Sequence, residues 1–237
     1  MAAHTAWRRA VKLTRRRLLS TAVVGASVSV TGLTMASSDA VAYQSSTTVD
    51  SDPAIRVDWR ETYNGSGVDA GDGTTDEPAL NIGNAHPGDS GTLAFRVTPE
   101  DDDRGVSASM SLALTANNEN GRNEPERSAG DTTDERGELA DALNVAVWYD
   151  TGSLGVSGLG GCDGDLDVAE TVLVDGSLVD ADAALAEGVP LGGDCLDPTS
   201  AVCVGISWSL PRSVGNRIQG DSVETSLSFT VEPCDET

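Results

Sequence analysis

The chain has 237 residues, 38% of them hydrophobic and 4% aromatic, and its 38 acidic residues outnumber its 15 basic ones to give a formal net charge of −23 at pH 7. A surface of this sign repels a polyphosphate at every approach, so the composition argues against nucleic acid as a partner. The length suits one domain with elaborated loops once an N-terminal leader is set aside.

Residues 1–42 have the parts of an export signal. Arg15 and Arg16 are followed by two leucines and a run of small and apolar residues, and the segment ends in an A-x-A cleavage pattern at Ala40 and Ala42. The paired arginines resemble the twin-arginine type of signal, whose substrates cross the membrane already folded. A transmembrane anchor is the weaker interpretation, because Ser, Thr and Gly dilute the apolar run. We therefore expect a mature chain that starts near Tyr43 and has no membrane span.

Removal of the leader would make the net charge of the remaining chain more negative. Residues 1–42 hold six of the 15 basic residues, including the only lysine, Lys12, but one of the 38 acidic ones, so residues 43–237 carry a formal charge of −28. In 1 M salt the Debye length falls to about 3 Å, which screens the resulting self-repulsion. This composition is typical of an extracellular protein from a salt-loving organism.

The mature chain is predicted to begin with a polar segment and a strand. Residues 43–52 contain few apolar side chains, and we expect them to be flexible or to become ordered only when they bind a partner. Ile55, Val57 and Trp59 then alternate with charged residues, as in a half-buried strand.

The sheets are expected to be organised around a turn at residues 86–89. Proline fixes φ and glycine accepts a positive φ, so Pro87 and Gly88, followed by Asp89, suit the centre of a type II turn. A strand is predicted on each side of this turn, because the apolar residues there recur with a period of two: Leu80, Ile82, Leu93, Phe95 and Val97.

Further alternating runs predict strands at 106–116, 204–210 and 223–231, and a strand at 144–150 that is apolar on both faces and therefore central. Short helices are expected from Thr133 or Asp134 to Leu143, and over 177–187. Several short strands separated by turns indicate an all-β fold, a sandwich of two antiparallel sheets in one domain over residues 43–237.

The four cysteines are Cys162, Cys195, Cys203 and Cys234. An even number in an exported chain favours two disulfides, and the absence of C-x-x-C spacing argues against a four-thiolate metal site. Four cysteines allow three pairings, which the sequence cannot separate. Our guess is Cys203 with Cys234 and Cys162 with Cys195, because the first pair would flank neighbouring terminal strands.

The residue inventory argues against an enzyme and against a bound cofactor. His86 is the only histidine after the leader, and no lysine remains, so neither a multi-histidine zinc site nor Schiff-base chemistry can be built within one chain. No G-x-S-x-G elbow accompanies His86. Acidic runs at 101–103 and 163–167 leave calcium open, but they are better interpreted as solvated loops, since the second lacks the glycine and glutamate of a calcium loop.

Taken in order, these motifs resemble the secreted TasA/camelysin family, in particular its branch from halophilic archaea. The resemblance covers most of the mature chain and is carried by the motif Asn-Ile-Gly-Asn-Ala-His-Pro-Gly-Asp at 81–89, the strand at 106–116, the segment 139–150 and the terminal strands from Cys203 to Cys234. One feature departs from the family pattern: relatives carry a short signal peptide, whereas this leader is of twin-arginine type.

The resemblance implies a jelly-roll sandwich that polymerises into extracellular fibres of a pilus or biofilm matrix, with its own copies as partners. Assembly would proceed by donor-strand complementation, in which the N-terminal segment 43–59, with Ile55, Val57 and Trp59, enters the next subunit. Pairing of this strand within its own chain is an equal alternative. Other classes are a monomeric surface-binding or adhesion module, and a protease of the camelysin type, which the lack of a histidine cluster disfavours.

Overall fold

Two antiparallel sheets pack face to face in this computed structural model, which describes residues 11–13, 43, 45–49, 52–68, 80–100, 104–152 and 161–234. The strands over these residues are β1 (Val11–Leu13), β2 (Ser45–Val49), β3 (Ile55–Tyr63), β4 (Ser66–Gly67), β5 (Asn81–Gly83), β6 (Ser90–Pro99), β7 (Val106–Asn118), β8 (Asn144–Tyr149), β9 (Thr171–Ser177), β10 (Val189–Leu196), β11 (Val202–Ser209) and β12 (Ser222–Pro233). The helices are α1 (Glu124–Ser128), α2 (Leu139–Ala142), α3 (Leu178–Leu185) and a 3-10 turn at Gly215–Ile218.

The first sheet has the strand order β1-β12-β7-β10, with β5 also on β12. The second sheet has the order β2-β3-β6-β11-β8-β9, with β4 also on β3. The inward residues of both sheets form one hydrophobic core, in which Phe95 of β6 and Phe229 of β12 meet edge to face with ring centroids 6.3 Å apart. The predicted all-β sandwich is confirmed.

The prediction of which strand residues face the core is confirmed where apolar and polar residues alternate strictly. In β7 the alternate residues from Val106 to Leu112 are buried, and β8 is a central strand between β11 and β9 with Val147 and Trp148 buried on opposite faces. The turn is also confirmed: Gly88 has φ +102°, and Asp89 N–H donates to the His86 carbonyl at 2.9 Å.

Two features of the helical segments differ from expectation. The predicted helix from Thr133 or Asp134 begins only at Leu139, because Thr133 donates its N–H and hydroxyl to the Asp131 carboxylate, 2.9 Å away in each case, and so holds a turn instead. α1, where no helix was predicted from the sequence, begins with a capping box between Asn123 and Glu126.

The disulfide pairing guessed from the sequence is wrong: the bonds join Cys162 to Cys203 and Cys195 to Cys234. The guess assumed that the last two long strands are neighbours, whereas β11 and β12 lie in different sheets. Cys195 on β10 and Cys234 after β12 instead flank the start of β7, which pairs with both strands. Two disulfides place the folded domain in an oxidising environment.

The strand with Ile55, Val57 and Trp59 was predicted either to enter the next subunit or to pair within its own chain, and in this structure it pairs within its own chain. It forms part of β3, which lies between β2 and β6 in the second sheet.

Over the portion of the chain that is described, no helix is both long and apolar enough to cross a membrane.

Candidate functional site

Three acidic side chains from distant parts of the sequence meet beneath the end of the first sheet. Glu119 follows β7, Glu138 precedes α2 and Asp221 precedes β12. One carboxylate oxygen from each lies within 4.8 Å of the others. We call these three residues the carboxylate cluster.

Short polar contacts hold the segments of the carboxylate cluster together. Asn120 donates its side-chain amide to the Gly220 carbonyl at 3.0 Å, and Asn123 donates to the Gln219 carbonyl at 2.9 Å. These bonds fix the loop after β7 against the turn that leads into β12.

Asp221 connects the same turn to α2. Its Oδ2 accepts the N–H groups of Glu138 at 2.7 Å and Leu139 at 3.1 Å, so a residue remote in sequence caps the helix. The approach requires glycine at position 137, because a Cβ there would lie 2.8 Å from the Asp221 carboxyl group.

Two members of the carboxylate cluster are buried, Glu138 is half-buried, and four of the six carboxylate oxygens have no hydrogen-bond partner. Glu119 is 2% exposed and Asp221 1% exposed. Both oxygens of Glu119, Oδ1 of Asp221 and Oε2 of Glu138 are buried without a hydrogen-bond partner. Native proteins rarely leave buried polar atoms in this state.

Two more buried acids increase the local negative charge. Glu126 and Asp131 are 0% and 3% exposed, and each has one buried oxygen without a hydrogen-bond partner. Arg122 and Arg217 are near enough to Asp131 to favour its ionised form, and Arg122 also forms an ion pair with Asp134 at 3.0 Å and donates to the Asp131 carbonyl at 3.4 Å.

The electrostatics follow from this arrangement. Burial, then repulsion from Asp221, Glu126 and Asp131, and finally a hydrogen bond that protonated Glu119 can donate to Asp221, raise the pKa of Glu119 to about 7. Burial likewise raises the pKa of Asp221 to about 6, although the N–H groups of Glu138 and Leu139 act in the opposite direction. The cluster is too enclosed to act on a substrate, but its oxygens suit a proton or a hard cation.

Sequence reasoning missed the carboxylate cluster. Glu138 and Asp221 are 83 residues apart, and no spacing rule connects either to Glu119. In the loop at 163–167, considered for calcium, Asp163 accepts the Asp165 N–H at 2.9 Å and forms a local turn. The run at 101–103 lies outside the described residues, as do Arg15, Arg16, Ala40 and Ala42.

A second feature of interest is the side of β12 that faces away from β7. One side pairs with β7 along the whole strand, and the other pairs with β5 at residues 222–224 and with β1 at residues 227–229. β1 belongs to the segment predicted to be removed as a leader. Without it, residues 226–231 of β12 would keep β7 as their sole neighbour among the described strands.

At the opposite sheet, the start of the predicted mature chain forms an edge. β2 pairs only with β3 among the described strands. Just before it, the Tyr43 hydroxyl donates to the Cys162 carbonyl at 3.4 Å, beside the disulfide to Cys203. The start of the predicted mature chain is therefore held in its own chain by an edge strand, by Val49 in the hydrophobic core, and by contacts of the Tyr43 hydroxyl with the Cys162 carbonyl and the Cys203 sulfur.

His86 has 83% of its side chain exposed, and its Nδ1 lies 3.8 Å from Asp89 at the turn.

No protein-family model matches the chain, and a comparison with curated proteins found no significant relative.

Proposed function

We propose that this protein is a non-enzymatic structural subunit of an extracellular filament, of pilus or biofilm-matrix type, which assembles from copies of itself by strand addition. The observation that carries the proposal is the pairing of Val11–Leu13, within the predicted leader, with the edge of β12. Cleavage after Ala42 would remove this cover and leave unpaired N–H and C=O groups on a regular strand. Such an edge is a template for another chain.

The segment that best suits this edge is the one at the new N-terminus. β2 spans five residues, or about 17 Å, which fits the edge at residues 226–231, about 20 Å long. The proposed donor, β2, is shorter than the segment 43–59 expected from the family resemblance. Residues 55–59 of that segment belong to β3, which is paired on both sides and is therefore not available to another subunit.

The contact would be heterologous, since β2 and the β12 edge lie in different sheets. A heterologous contact that does not close into a ring repeats from subunit to subunit and produces a filament. Export by a twin-arginine route fits this scheme, because the precursor would fold with its acceptor edge covered and would expose that edge only after cleavage.

The test is electron microscopy of protein recovered from the culture medium in about 3 M NaCl, where charge repulsion is screened. We expect filaments from the wild type and from Thr47→Ala, but not from Thr47→Pro, which lacks the backbone N–H needed for a ladder. A precursor that retains residues 1–42 should stay monomeric. Monodisperse wild-type particles would favour an adhesion module, and filaments from Thr47→Pro would exclude β2 as the donated strand.

A further inference from the structure

We propose that Glu119, Glu138 and Asp221 bind one calcium ion, which fastens the loop after β7 and the start of α2 to the base of β12. This inference does not depend on the filament proposal, because it concerns the interior of a single chain.

The geometry of the carboxylate cluster fits a shared ion. Calcium binds oxygen at about 2.3–2.6 Å, so two ligands of one ion lie at most about 5 Å apart. The three carboxylate oxygens are within 4.8 Å of one another. They reach this spacing from three separate segments, which hydrogen bonds of the Asn120, Asn123 and Asp221 side chains hold together, so the site is preformed.

The unsatisfied oxygens point to a missing positive group. When all three side chains are ionised, Glu119, 2% exposed, has no hydrogen-bond donor on either oxygen, and one oxygen each of Asp221 and Glu138 is also buried without a donor. A buried carboxylate without a donor or counter-charge is strongly unfavourable. Glu126 and Asp131 add further negative charge, while Arg122 is paired with Asp134. A divalent cation bound by one oxygen of each of the three carboxylates would offset this charge.

The ligand chemistry selects calcium among the common divalent ions. All the donors are carboxylate oxygens, which are hard ligands and disfavour copper and zinc. Magnesium requires near-ideal octahedral geometry and keeps several waters, whereas calcium accepts irregular shells of protein oxygens. Enclosed, irregularly arranged carboxylates therefore suit calcium better.

Calcium binding can be measured on the full 237-residue chain after treatment with EDTA, at a constant ionic strength of about 1 M NaCl. Calorimetric titration with CaCl2 should give one ion per chain. The unfolding temperature should rise by about 5 °C or more when calcium exceeds its Kd about 100-fold. MgCl2 at the same concentration should give a clearly smaller shift.

Two variants separate this site from general binding to an acidic surface. Glu119→Gln should weaken calcium binding at least about tenfold, as expected for loss of a ligand. It should also unfold at a higher temperature than the wild type in EDTA, because it removes one buried charge. Glu135→Gln, which neutralises an exposed carboxylate in the segment that leads to Glu138, should bind calcium like the wild type.

If Glu119→Gln does not fold, Glu138→Gln serves instead, since Glu138 is only half-buried and an amide at this position can donate to the Thr133 hydroxyl oxygen. The proposal is overturned if the wild type gains no stability from calcium, if the ligand variant binds as tightly as Glu135→Gln, or if magnesium stabilises as much as calcium.

Discussion

Asp89 shows how a single carboxylate can fix the corner between two strands. It accepts hydrogen bonds from the Tyr63 hydroxyl at 2.5 Å, the Asn64 amide at 2.9 Å and the His86 N–H at 2.8 Å. Burial acts to raise the pKa of Asp89, but these three donors outweigh it, and the pKa is lowered from its ordinary 3.8. The ionised form therefore stabilises the folded state.

Replacement of Asp89 by alanine should lower the free energy of unfolding at pH 7 by about 2–3 kcal/mol, since hydrogen bonds to a charged group are lost. The contribution of Asp89 is present above its unfolded pKa of 3.8 and is lost as the pH falls through its lower folded pKa. Denaturant unfolding at pH 7 and about pH 2.5 should therefore show a smaller acid-induced loss in the variant than in the wild type.

Asp175→Ala is the matched control for this effect, because Asp175 is an exposed acid on β9. It should change stability by no more than about 0.5 kcal/mol. Equal effects of the two substitutions would contradict the role given to Asp89. The turn itself was predictable from Pro87 and Gly88, but Tyr63 was not, since it reaches Asp89 from 26 residues away.

At the scale of elements, β11 illustrates how closely the central strands approach one another. Gly205 on β11 is paired with Trp148 on β8, and the Trp148 ring covers it. A Cβ at position 205 would lie 2.2 Å from the Trp148 Cζ2 atom. Glycine is required here to accommodate the indole, not to turn the chain.

Gly205→Ala should destabilise the protein by about 3 kcal/mol, because Trp148 is buried and cannot move away without disturbing the core. Thermal or denaturant unfolding would measure the change. Gly83→Ala on β5 is the control, since its Cβ would make an ordinary 3.6 Å contact with Ser222 Cβ. A loss below about 1 kcal/mol for Gly205→Ala would contradict the packing described.

Elements were predictable where their signal is local. The alternation in β7 and the capping box of α3, formed by Ser177 and Asp180, can be recognised from neighbouring residues. α2 was placed too early because its cap comes from Asp221, which the local sequence does not reveal. The disulfides were mispaired for the same kind of reason: β11 and β12 follow each other in the chain but belong to different sheets.

At the scale of the whole molecule, charge is the dominant constraint. Residues 43–237 carry a formal charge of −28, and this repulsion opposes compaction at low ionic strength. If the composition is an adaptation to high salt, the stability of the folded protein should increase with salt concentration.

The unfolding temperature should rise by about 5 °C or more between about 0.1 M and 3 M NaCl. Most of the rise should occur below about 1 M, because the Debye length has already fallen to about 3 Å there. KCl should act like NaCl, since screening does not depend on the identity of the ion. A rise that continues in proportion to salt, or no rise, would contradict a screening mechanism.

The sequence alone determined that this is an acidic all-β sandwich with two disulfides, because strand alternation, cysteine number and charge are properties of short segments or of the whole composition. The tertiary structure decided which cysteines pair, that β3 lies inside its own sheet, and that Glu119, Glu138 and Asp221 converge. These outcomes depend on which strands share a sheet. That choice is made by packing between segments far apart in the chain, and no local pattern encodes it.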